Sequence, residues 1–499
     1  MKDYTSLQNG SDIRGVAMEI EGGKDVNLTD TAVADLALGF AEWLMERTGK
    51  KPAELKIAIG RDSRLSGKKI AAICADVLSD FGANVIYCGM ATTPAMFMAT
   101  VFPEIMADGS IMITASHLPS ERNGLKFFTK QGGLDKVDIT NIIDRAENQD
   151  FNLKALPDGE TEGYKLMSIY SDHLQDMICS GLNARREDLP LKGMKIAVDA
   201  GNGASGFFVF NVLEPLGADC SGSQFLEPDG NFPNHQPNPE NPEAMESICN
   251  AVKEDGSDLG IIFDTDGDRS AAVDEQGNEI ARNRIVAMAA VIAAEGHPGT
   301  TIVTDSITST QLGQFLTEKL GLKHLRFKRG YKNVINKGLE LNDDGIDCQL
   351  AIETSGHAAM KANYFLDDGA YLATKIVIKA AQLKKEGKGI SSLLEGLADP
   401  LEAKEFRFKV TAEDFAGYAQ NVLDYIKAKV EAGEIEGWSL ELPNYEGVRV
   451  NTPEGWFLIR KSLHDPVIPL NIESDAEGGV EKVFKEIRVL LAAYNQLII

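Results

Sequence analysis

A strand–turn–helix–strand pattern occurs three times in this chain of 499 residues, and it restricts the possible folds more than any other feature. The copies begin at Leu55, Met194 and Thr301, and each is about 30 residues long, the size of a βα unit with a returning strand. In the first copy the apolar residues recur at helical spacing, at Ile70, Cys74, Val77 and Phe81. Because the copies lie more than 100 residues apart, they predict three similar α/β domains in tandem rather than a solenoid.

The C-terminal segment follows a different pattern. The sequence T-A-E-D at 411–414 is typical of the start of a long amphipathic helix. Short apolar runs then predict four strands, and a final helix is expected from about Asp475. This order indicates an α+β domain. We therefore predict four domains, over residues 1–160, 161–285, 286–400 and 401–499.

Charge and composition exclude several classes of partner. The formal net charge is −25, so we expect no nucleic-acid partner and no membrane partner, because phosphate groups bind basic surfaces. No apolar run reaches the ~18 residues of a membrane span, and residues 1–15 lack the apolar core of a signal peptide. The six cysteines have no C-x-x-C spacing, which is typical of reduced thiols. The sequence thus predicts a cytoplasmic protein.

The segment TASHLPSERNGLKFF is the most informative one for chemistry. It presents Ser116 in a loop after an apolar run, flanked by His117, Arg122, Asn123 and Lys126. A hydroxyl can carry a phosphate, and nearby cations can hold its roughly two negative charges. A plain loop with a Ser-His dipeptide is the alternative interpretation.

A second segment, LGIIFDTDGDRSAAV, places Asp264, Asp266 and Asp268 at alternate positions after an apolar strand. Three carboxylates this close repel each other without a cation, and oxygen ligands favour Mg²⁺, Ca²⁺ or Mn²⁺. A calcium-binding EF-hand is one alternative, because Glu275 falls at the twelfth loop position, but Arg269 stands where that loop needs glycine. A solvated acidic turn is the other. A phosphate on the serine described above is the natural fourth ligand of a divalent cation.

Further polar turns supply candidates for substrate binding. The segment AIETSGHAAM places Glu353, Ser355 and His357 after an apolar strand, where a carboxylate and a hydroxyl two residues apart can bind neighbouring sugar hydroxyls. The segment IRKSLHDPVIP carries Arg460 and Ser462, and its cations and hydroxyl suit a phosphate group. The segment KRGYKNVI, with Lys328, is a smaller candidate of the same type. Solvated polar or basic turns are the alternatives.

Together these segments resemble the α-D-phosphohexomutases, and the phosphomannomutase/phosphoglucomutase branch looks nearest. The motifs that carry the resemblance are the Ser116 loop, D-x-D-G-D at 264–268, E-T-S-G-H at 353–357 and R-x-S at 460–462. Further matches are SDIRG at 11–15, GRDSRLSG at 60–67, VDAGNGASG at 198–206 and DGNFPNHQPNPENPE at 229–243. The resemblance covers nearly the whole chain. It implies four domains around a central cleft, three similar α/β domains with mixed sheets plus a C-terminal α+β domain.

The resemblance also implies a mechanism. Ser116 is expected to be a phosphoserine that phosphorylates a hexose monophosphate, giving a hexose 1,6-bisphosphate, which is also the expected activator. Lys126 and Arg14 are expected to neutralise the transferring group, and the general acid/base is His117, Lys126 or His357. The implied Mg²⁺ ligands are Ser116, Asp264, Asp266 and Asp268. The implied substrate-binding residues are Arg269, Lys328, Glu353, Ser355, His357, Arg460 and Ser462.

Several alternatives stay open at the level of sequence. The substrate is expected to be a mannose or glucose phosphate, with a glucosamine or N-acetylglucosamine phosphate mutase as the second candidate. Departures from the family pattern that bear on the sugar are Leu118, Ile352, Leu463 and His464. A non-catalytic sugar-phosphate-binding relative would lack the serine or an aspartate, and a metal-dependent phosphatase would release inorganic phosphate. The protein is expected to be a monomer or a homodimer.

Overall fold

The computed structural model describes residues 2–148, 159–462 and 465–498. The protein divides into two compact units. The first unit comprises the chain up to Ala293 together with Ser355–Leu394, and the second comprises Ala294–Thr354 together with the chain from Glu395 onwards. The polypeptide therefore passes between the units three times. In the described part of the chain, no helix combines the length and the apolar character needed to cross a membrane.

The first sheet lies in the first unit and has eight strands with mixed pairing. Its strands are β1 (Gln8–Asn9), β2 (Asp12–Val16), β3 (Lys56–Arg61), β4 (Asn84–Met90), β5 (Gly109–Ile113), β6 (Arg122–Thr129), β7 (Gly132–Gly133) and β8 (Thr161–Gly163). The order is β1-β2-β6-β5-β3-β4-β8, and β7 pairs with β6. Strand β3 runs parallel to β4 and β5, whereas β6 runs antiparallel to β5 and β2.

Four α-helices lie among the described residues of this part of the chain, namely α1 (Asp30–Thr48), α2 (Gly67–Asp80), α3 (Thr93–Met98) and α4 (Lys136–Asn148). The helix predicted from apolar spacing is α2, with Ile70 and Cys74 buried and Val77 half-buried. Apolar residues of α1, α2 and α4 form one core with those of β3, β5 and β6. Because helices cover it, β5 is buried along its whole length, as strands in parallel pairs usually are.

The second sheet also lies in the first unit, in the order β12-β11-β10-β9. Its elements, in chain order, are α5 (Leu166–Gly181), β9 (Ile196–Asp199), α6 (Pro242–Asp255), β10 (Leu259–Phe263), β11 (Ser270–Val273), β12 (Glu279–Ile280) and α7 (Asn283–Ala293). Strands β9 and β10 are parallel, and β11 runs antiparallel to both β10 and β12. The sheet is therefore mixed, as expected.

The second copy of the repeat departs from its prediction in one respect. The expected returning strand is replaced by isolated bridges, in which Asp219 pairs with Lys195 and Gln224 pairs with Asp199. The hydroxyl of Ser223 accepts the hydrogen bond of the Val198 backbone N–H at 3.0 Å, which a strand carbonyl would otherwise accept. A side chain thus interrupts the ladder at this edge of the sheet. The preceding turn of helix, Phe208–Leu213, is a π-helix.

The third copy of the repeat gives two strands of the second unit, and a third strand follows the copy in the chain; the three are parallel, in the order β14-β13-β15. The elements of this stretch of chain are β13 (Thr301–Asp305), α8 (Thr310–Gln314), β14 (Lys323–Phe327), α9 (Tyr331–Asp343) and β15 (Cys348–Ile352). The chain then contributes three elements to the first unit, namely β16 (Ala358–Met360), β17 (Leu366–Asp367) and α10 (Gly369–Lys385). Strands β16 and β17 form an antiparallel hairpin, and α10 packs against α5, α7 and β11.

The C-terminal sheet of the second unit is antiparallel, in the order β19-β20-β21-β22-β18-β23. Its elements are β18 (Glu402–Val410), α11 (Phe415–Glu431), β19 (Ser439–Leu440), β20 (Val448–Thr452), β21 (Gly455–Ile459), β22 (Val467–Ser474), α12 (Gly479–Leu490) and β23 (Leu497–Ile498). The long helix begins at Phe415, and Asp414 caps it by accepting a hydrogen bond from the Gly417 N–H. Three α/β sheets and a C-terminal α+β region confirm the predicted fold class.

Most of the candidate residues follow strand ends. Asp264 directly follows β10, Glu353 directly follows β15, and Ser116 lies three residues beyond β5. Each of these strands has a parallel neighbour, and loops at the carboxyl ends of parallel strands are where α/β proteins bind ligands. The repeated fold thus presents one candidate loop from each of the three α/β sheets.

Candidate active site

Ser116 is buried and adopts a left-handed backbone conformation, with φ of 50°. Its hydroxyl donates a hydrogen bond to Asp264 Oδ2 at 3.0 Å and lies 3.3 Å from Nδ1 of His117. Nη2 of Arg269 donates to the same hydroxyl at 3.4 Å. The first unit therefore brings the predicted serine, one predicted metal ligand and two predicted polar residues together.

The three aspartates of the loop after β10 form a compact buried cluster. All three side chains are fully buried, and one oxygen of each lies within 4.8 Å of the other two. The ammonium group of Lys126 donates to Asp268 Oδ2 at 2.5 Å and to Asp266 Oδ2 at 3.2 Å. Nε of Arg269 donates to Asp264 Oδ2 at 3.1 Å. These two cations face three carboxylates.

The carboxylates differ in how the surrounding charges act on them. Burial, followed by the charges of Asp268 and Asp266, raises the pKa of Asp264 well above its usual range. Burial also acts on Asp268, but the charges of Lys126, His357 and Arg269 outweigh it and lower the pKa of that carboxyl. Two cations beside three carboxylates leave the cluster negative, which favours binding of a divalent cation.

The structure offers a direct test of whether a metal ion fits. Asp266 Oδ1 and Asp268 Oδ1 are buried, and neither has a hydrogen-bond partner among the described residues. A buried carboxylate oxygen without a partner is costly, and hard divalent cations bind ligands of this kind. The EF-hand alternative does not fit, because strand β10 precedes the loop and the carboxylate of Glu275 accepts a hydrogen bond from the Ser391 hydroxyl at 2.5 Å. The cluster suits a divalent metal.

Two histidines next to the cluster differ in their electrostatic surroundings. Burial, followed by the charge of Arg269, lowers the pKa of His117 to about 2. Burial acts in the same direction on His357, but the carboxylates of Asp268 and Asp367 raise the pKa of this residue above its usual value. Nδ1 of His357 lies 2.9 Å from Asp367 Oδ2. His117 is therefore neutral, whereas His357 can carry a proton at neutral pH.

Two further predicted residues lie in the first unit. Arg14, on β2, forms an ion pair with Asp12 at 2.8 Å, and its charge also lowers the pKa of His117. Ser355 is buried, and its hydroxyl has no hydrogen-bond partner in the part of the chain that the structure describes. A buried hydroxyl in this state is available to a ligand.

Sequence reasoning missed three residues that support this cluster. The Thr93 hydroxyl, at the start of α3, donates to Asp266 Oδ2 at 2.5 Å. The side chain of Gln236 donates to the backbone carbonyl of His117 at 2.8 Å. Arg64 binds the backbone of the serine loop. Gln236 and Arg64 lie in motifs that carried the resemblance, DGNFPNHQPNPENPE and GRDSRLSG, but their contacts cannot be seen from those motifs alone.

The second unit holds another polar cluster, around Glu353. Glu353 is buried, and its Oε1 accepts a hydrogen bond from the Gly330 N–H at 2.7 Å. Asp305, the last residue of β13, accepts from the Thr354 hydroxyl at 2.8 Å and lies 3.7 Å from Nε of Arg329. Burial raises the pKa of Asp305 to about 7, although the charge of Arg329 opposes this. Asp305 was not predicted because it stands in no recognisable motif, and Arg329 was passed over although it lies in the candidate segment KRGYKNVI, from which Lys328 was chosen.

Arg460 follows β21 in the second unit and is half-buried. Its Nε has no hydrogen-bond partner within the described residues. Burial, followed by the charge of Arg329, lowers the pKa of Arg460. The guanidinium groups of Arg460 and Arg329 repel each other, and this repulsion favours the binding of an anion between them. A phosphate group, the predicted ligand of the turn after β21, is such an anion.

The contacts of the other predicted phosphate-binding residues of the second unit give less information about their roles. The Ser462 hydroxyl accepts a hydrogen bond from the Asp465 N–H at 3.2 Å, and Leu463 and His464 lie outside the described residues. Lys328 is exposed, and its Nζ lies 6.0 Å from the ring centre of Phe327. The structure thus leaves the predicted roles of Lys328 and Ser462 as predictions.

Comparison with known proteins agrees with this site. Three family models match the chain: phosphoglucomutase/phosphomannomutase, alpha/beta/alpha domain I at 5–153, domain II at 168–277 and domain III at 281–401. A phosphomannomutase/phosphoglucomutase of Pseudomonas putida is 30% identical over 481 residues, which are 96% of this chain and 94% of that protein. A phosphoglucomutase of Neisseria gonorrhoeae is 28% identical and covers 97% of both chains.

A solved structure gives the same result. The crystal structure of a phosphoglucomutase/phosphomannomutase family protein from Burkholderia thailandensis superposes with a TM-score of 0.78 at 26% identity. The match covers 98% of this chain and 97% of that one. Because the matching family models span most of the sequence, the predicted resemblance is confirmed, and with it a mutase activity and a phosphosugar substrate. The chain belongs to the α-D-phosphohexomutase family, whose members are metal-dependent mutases.

Proposed function

We propose that this phosphohexomutase interconverts hexose 1-phosphates and hexose 6-phosphates through a phosphoserine at position 116, with mannose or glucose as the sugar. The observation that supports this most strongly is the buried Ser116 hydroxyl 3.0 Å from a carboxylate of the metal-type cluster. The names of the similar proteins support the choice of sugar.

The reaction consists of two phosphoryl transfers. In the first, the bond between phosphorus and Ser116 Oγ breaks while phosphorus bonds to the free hydroxyl of the hexose monophosphate, whose proton is lost. The product is a hexose 1,6-bisphosphate. In the second transfer its other phosphate returns to Ser116, and the released sugar oxygen takes up a proton. A free hexose 1,6-bisphosphate phosphorylates Ser116 directly and therefore acts as the activator.

Mg²⁺, when bound, neutralises negative charge on the transferring phosphoryl group. Asp264, Asp266 and Asp268 would hold it together with a phosphate oxygen on Ser116, which matches the preference of Mg²⁺ for oxygen ligands. Lys126 fixes two of these carboxylates by hydrogen bonds. We therefore assign Lys126 to charge balance in the metal site rather than to proton transfer.

Of the three candidates for general acid/base, His357 has the most suitable surroundings. A group that transfers protons near pH 7 needs a pKa in that region. The carboxylates of Asp268 and Asp367 raise the pKa of His357, whereas the pKa of His117 is lowered to about 2. A histidine of such low basicity stays neutral and is poorly suited to take up a proton near pH 7. We propose that His357 transfers the proton and that His117 orients the Ser116 hydroxyl.

For the substrate, we propose that Glu353 and Ser355 bind sugar hydroxyls and that Arg460 and Ser462 bind the phosphate that does not react. The buried, unpartnered Ser355 hydroxyl and the unpartnered Nε of Arg460 support these roles within the described residues. We assign Arg269 and Lys328 to substrate binding and Arg14 to charge neutralisation on the transferring group, as the family resemblance implies.

A ³¹P NMR time course tests the proposal. The purified protein is incubated with Mg²⁺ and a trace of glucose 1,6-bisphosphate, in parallel with mannose 1-phosphate, glucose 1-phosphate and glucosamine 1-phosphate. We expect the mannose and glucose resonances to move from the 1-phosphate to the 6-phosphate. Release of inorganic phosphate alone would identify a phosphatase, and preferential turnover of glucosamine 1-phosphate would identify an amino-sugar mutase.

Two serine variants show whether Ser116 is the phosphorylated residue. Ser116→Ala is expected to lose nearly all turnover and to gain no phosphate, as measured by intact mass after incubation with glucose 1,6-bisphosphate. Ser110→Ala is the matched control, because Ser110 is a buried serine on the preceding strand whose hydroxyl binds the Met96 carbonyl. Equal turnover by both variants would contradict the phosphoserine mechanism.

We further propose that the enzyme works in the cytoplasm as a monomer or homodimer. All six cysteines lie in the described part of the chain and are free thiols, as is usual in a reducing compartment. Cell fractionation and light scattering of the purified enzyme test the two statements. Recovery from a membrane or secreted fraction, or a mass above that of a dimer, would contradict them.

A further inference from the structure

The backbone conformation of Ser116 needs an explanation beyond the proposed chemistry. Its φ of 50° lies in the left-handed region, which is strained for a residue with a Cβ atom. The Thr114 hydroxyl accepts a hydrogen bond from the Ser116 N–H at 2.8 Å, which accounts for one side of the turn. The backbone carbonyls of Ser116 and of the residues after it accept hydrogen bonds from a residue that follows another strand.

That residue is Arg64, which is 1% exposed and lies beyond β3. Its guanidinium group binds four backbone carbonyls of the serine loop. Nη2 donates to the carbonyl of Ser116 and, at 2.6 Å, to that of Leu118. Nη1 donates to the carbonyls of Pro119 and Arg122 at 2.7 and 2.9 Å. The four contacts cover the loop between the serine and the start of β6.

Arg64 is itself held in place. Its Nε forms an ion pair with Asp62 Oδ2 at 3.3 Å, and both side chains are fully buried. The backbone N–H of Arg64 donates to the other oxygen of Asp62 at 2.9 Å. Its guanidinium group lies 5.4 Å from the ring centre of Phe232. Four N–H donors of the planar fork thus bind loop carbonyls while Nε faces the Asp62 carboxylate, an arrangement that an ammonium group cannot reproduce.

We infer that Arg64 is a positioning residue for phosphoryl transfer: its guanidinium group fixes the strained conformation of Ser116 and so the direction of the Ser116 hydroxyl. This inference rests on the proposed phosphoserine mechanism. Without the four carbonyl contacts, the backbone of Ser116 relaxes towards negative φ, and Oγ leaves its place beside Asp264. Because four of its donors bind loop carbonyls and its Nε faces Asp62, Arg64 acts on the serine through the backbone of the loop.

The test compares kcat and KM of Arg64→Lys and Arg64→Met with those of the wild type, on the 1-phosphate that the wild type converts fastest. Misplacement of a reacting group by ~1 Å costs about 100-fold in rate, so we expect that loss of kcat for Arg64→Met and about 10-fold for Arg64→Lys. We expect KM to change by less than about threefold, because the residues proposed to bind the sugar are unchanged. Each kcat is normalised to the fraction of enzyme that carries phosphate on Ser116.

The control is Arg449→Lys. Arg449 is also an almost fully buried arginine that binds backbone carbonyls, those of Ser306 and Thr308, and it has no part in the serine loop. We expect this variant to lose thermal stability while kcat per folded enzyme stays within about threefold of the wild type. Should Arg64→Met fail to fold, Arg64→Lys and Asp62→Asn, which loosens the anchor of Arg64, carry the test.

Three results are informative. A loss of kcat in the Arg64 variants with KM and the Arg449→Lys rate preserved supports the inference. Folded Arg64 variants with wild-type kcat, or with losses no larger than that of Arg449→Lys, overturn it. If the wild-type enzyme itself transfers no phosphate through Ser116, the phosphoserine mechanism fails, and the inference falls with it for a reason that the wild-type measurement identifies.

Discussion

Replacing Lys126 by methionine removes the ammonium group that Asp266 and Asp268 share. Methionine fills a similar volume, so the main change is the loss of a positive charge beside two buried carboxylates. The Lys126 side chain is 5% exposed and both carboxylates are 0% exposed, so water cannot replace the lost hydrogen bonds. The folded state therefore carries an uncompensated negative charge that the unfolded state does not.

The expected loss of unfolding free energy depends on the burial of the ion pair rather than on the distance between its charged atoms. Removing one partner of a buried ion pair costs about 3–5 kcal/mol, whereas an exposed pair contributes about 0–1 kcal/mol. The chain offers a matched comparison, because Lys50 pairs with Asp108 at 2.6 Å, close to the 2.5 Å of Lys126 and Asp268, but has a side chain 42% exposed. We expect Lys126→Met to lose about 3–5 kcal/mol and Lys50→Met at most about 1 kcal/mol of unfolding free energy in EDTA.

The assay needs a reporter in the first unit, because a protein of this size does not unfold in one step. Trp43, on α1, serves when Trp438 and Trp456 are replaced by phenylalanine. Urea unfolding is followed by Trp43 fluorescence, with and without Mg²⁺. Because the metal supplies the charge that Lys126 provided, Mg²⁺ is expected to stabilise Lys126→Met more than the wild type.

Two outcomes would refute the reasoning. Equal losses for Lys126→Met and Lys50→Met would show that burial does not govern the strength of these pairs. A smaller stabilisation of Lys126→Met than of the wild type by Mg²⁺ would show that Lys126 and the metal do not compensate the same carboxylates.

Three further variants test other parts of the structure. Burial raises the pKa of Glu473 from 4.5 to about 7, so wild-type stability falls as pH rises through that range, and Glu473→Gln is expected to become more stable than the wild type by roughly 2–3 kcal/mol at pH 8 but not at pH 4.5. Thr93→Val is expected to lose about 1–3 kcal/mol and to bind Mg²⁺ more weakly, because Asp266 loses a donor at 2.5 Å. Gly267→Ala adds a Cβ atom 2.8 Å from the Ser205 hydroxyl at a φ of +73° and is expected to weaken Mg²⁺ binding as well as stability.

Each of these variants has a control measured by the same denaturation and metal titrations. Glu477→Gln makes the same change at an exposed position and is the comparison for Glu473→Gln. Thr93→Ser keeps the hydroxyl and is expected to behave like the wild type. Gly256→Ala has a similar φ of +67° with no atom within 4 Å, so it isolates the backbone cost. The respective explanations are wrong if a variant and its control give the same result.

The fold was predictable wherever the signal was local. The helix α2 and the start of α11 after T-A-E-D depend on residues within a few positions of each other, and the sequence predicts both. Strand β18 was missed although Phe406, Phe408 and Val410 alternate with charged residues, because its partner β22 is more than 50 residues away and most of its other side chains are exposed. The missing returning strand at 219–224 depends on a side-chain hydroxyl that replaces a carbonyl, which no periodicity reveals.

The candidate site shows the same division. The acidic cluster and the serine loop could be predicted from the sequence, because the residues that act together in each are neighbours in sequence. The role of Arg64 could not be predicted, because it binds backbone carbonyl groups, which every residue possesses. A sequence cannot show which of these carbonyls an arginine reaches. The choice between Lys328 and Arg329 depends on how the chain turns after β14, and in the structure it is Arg329 that lies beside Asp305.

Because the first unit is built from two stretches of chain, it cannot complete its fold in the order of synthesis. The β16–β17 hairpin and α10, which contribute Asp367 and cover α5 and α7, leave the ribosome after the whole of 294–354. At ~5–20 residues per second this delay lasts roughly 3–12 s. During this delay, the nascent enzyme has its serine loop and its acidic loop but not His357 or α10. The apolar faces of α5 and α7 are exposed to water. A fragment that ends at Ala293 would keep that surface permanently and is expected to aggregate.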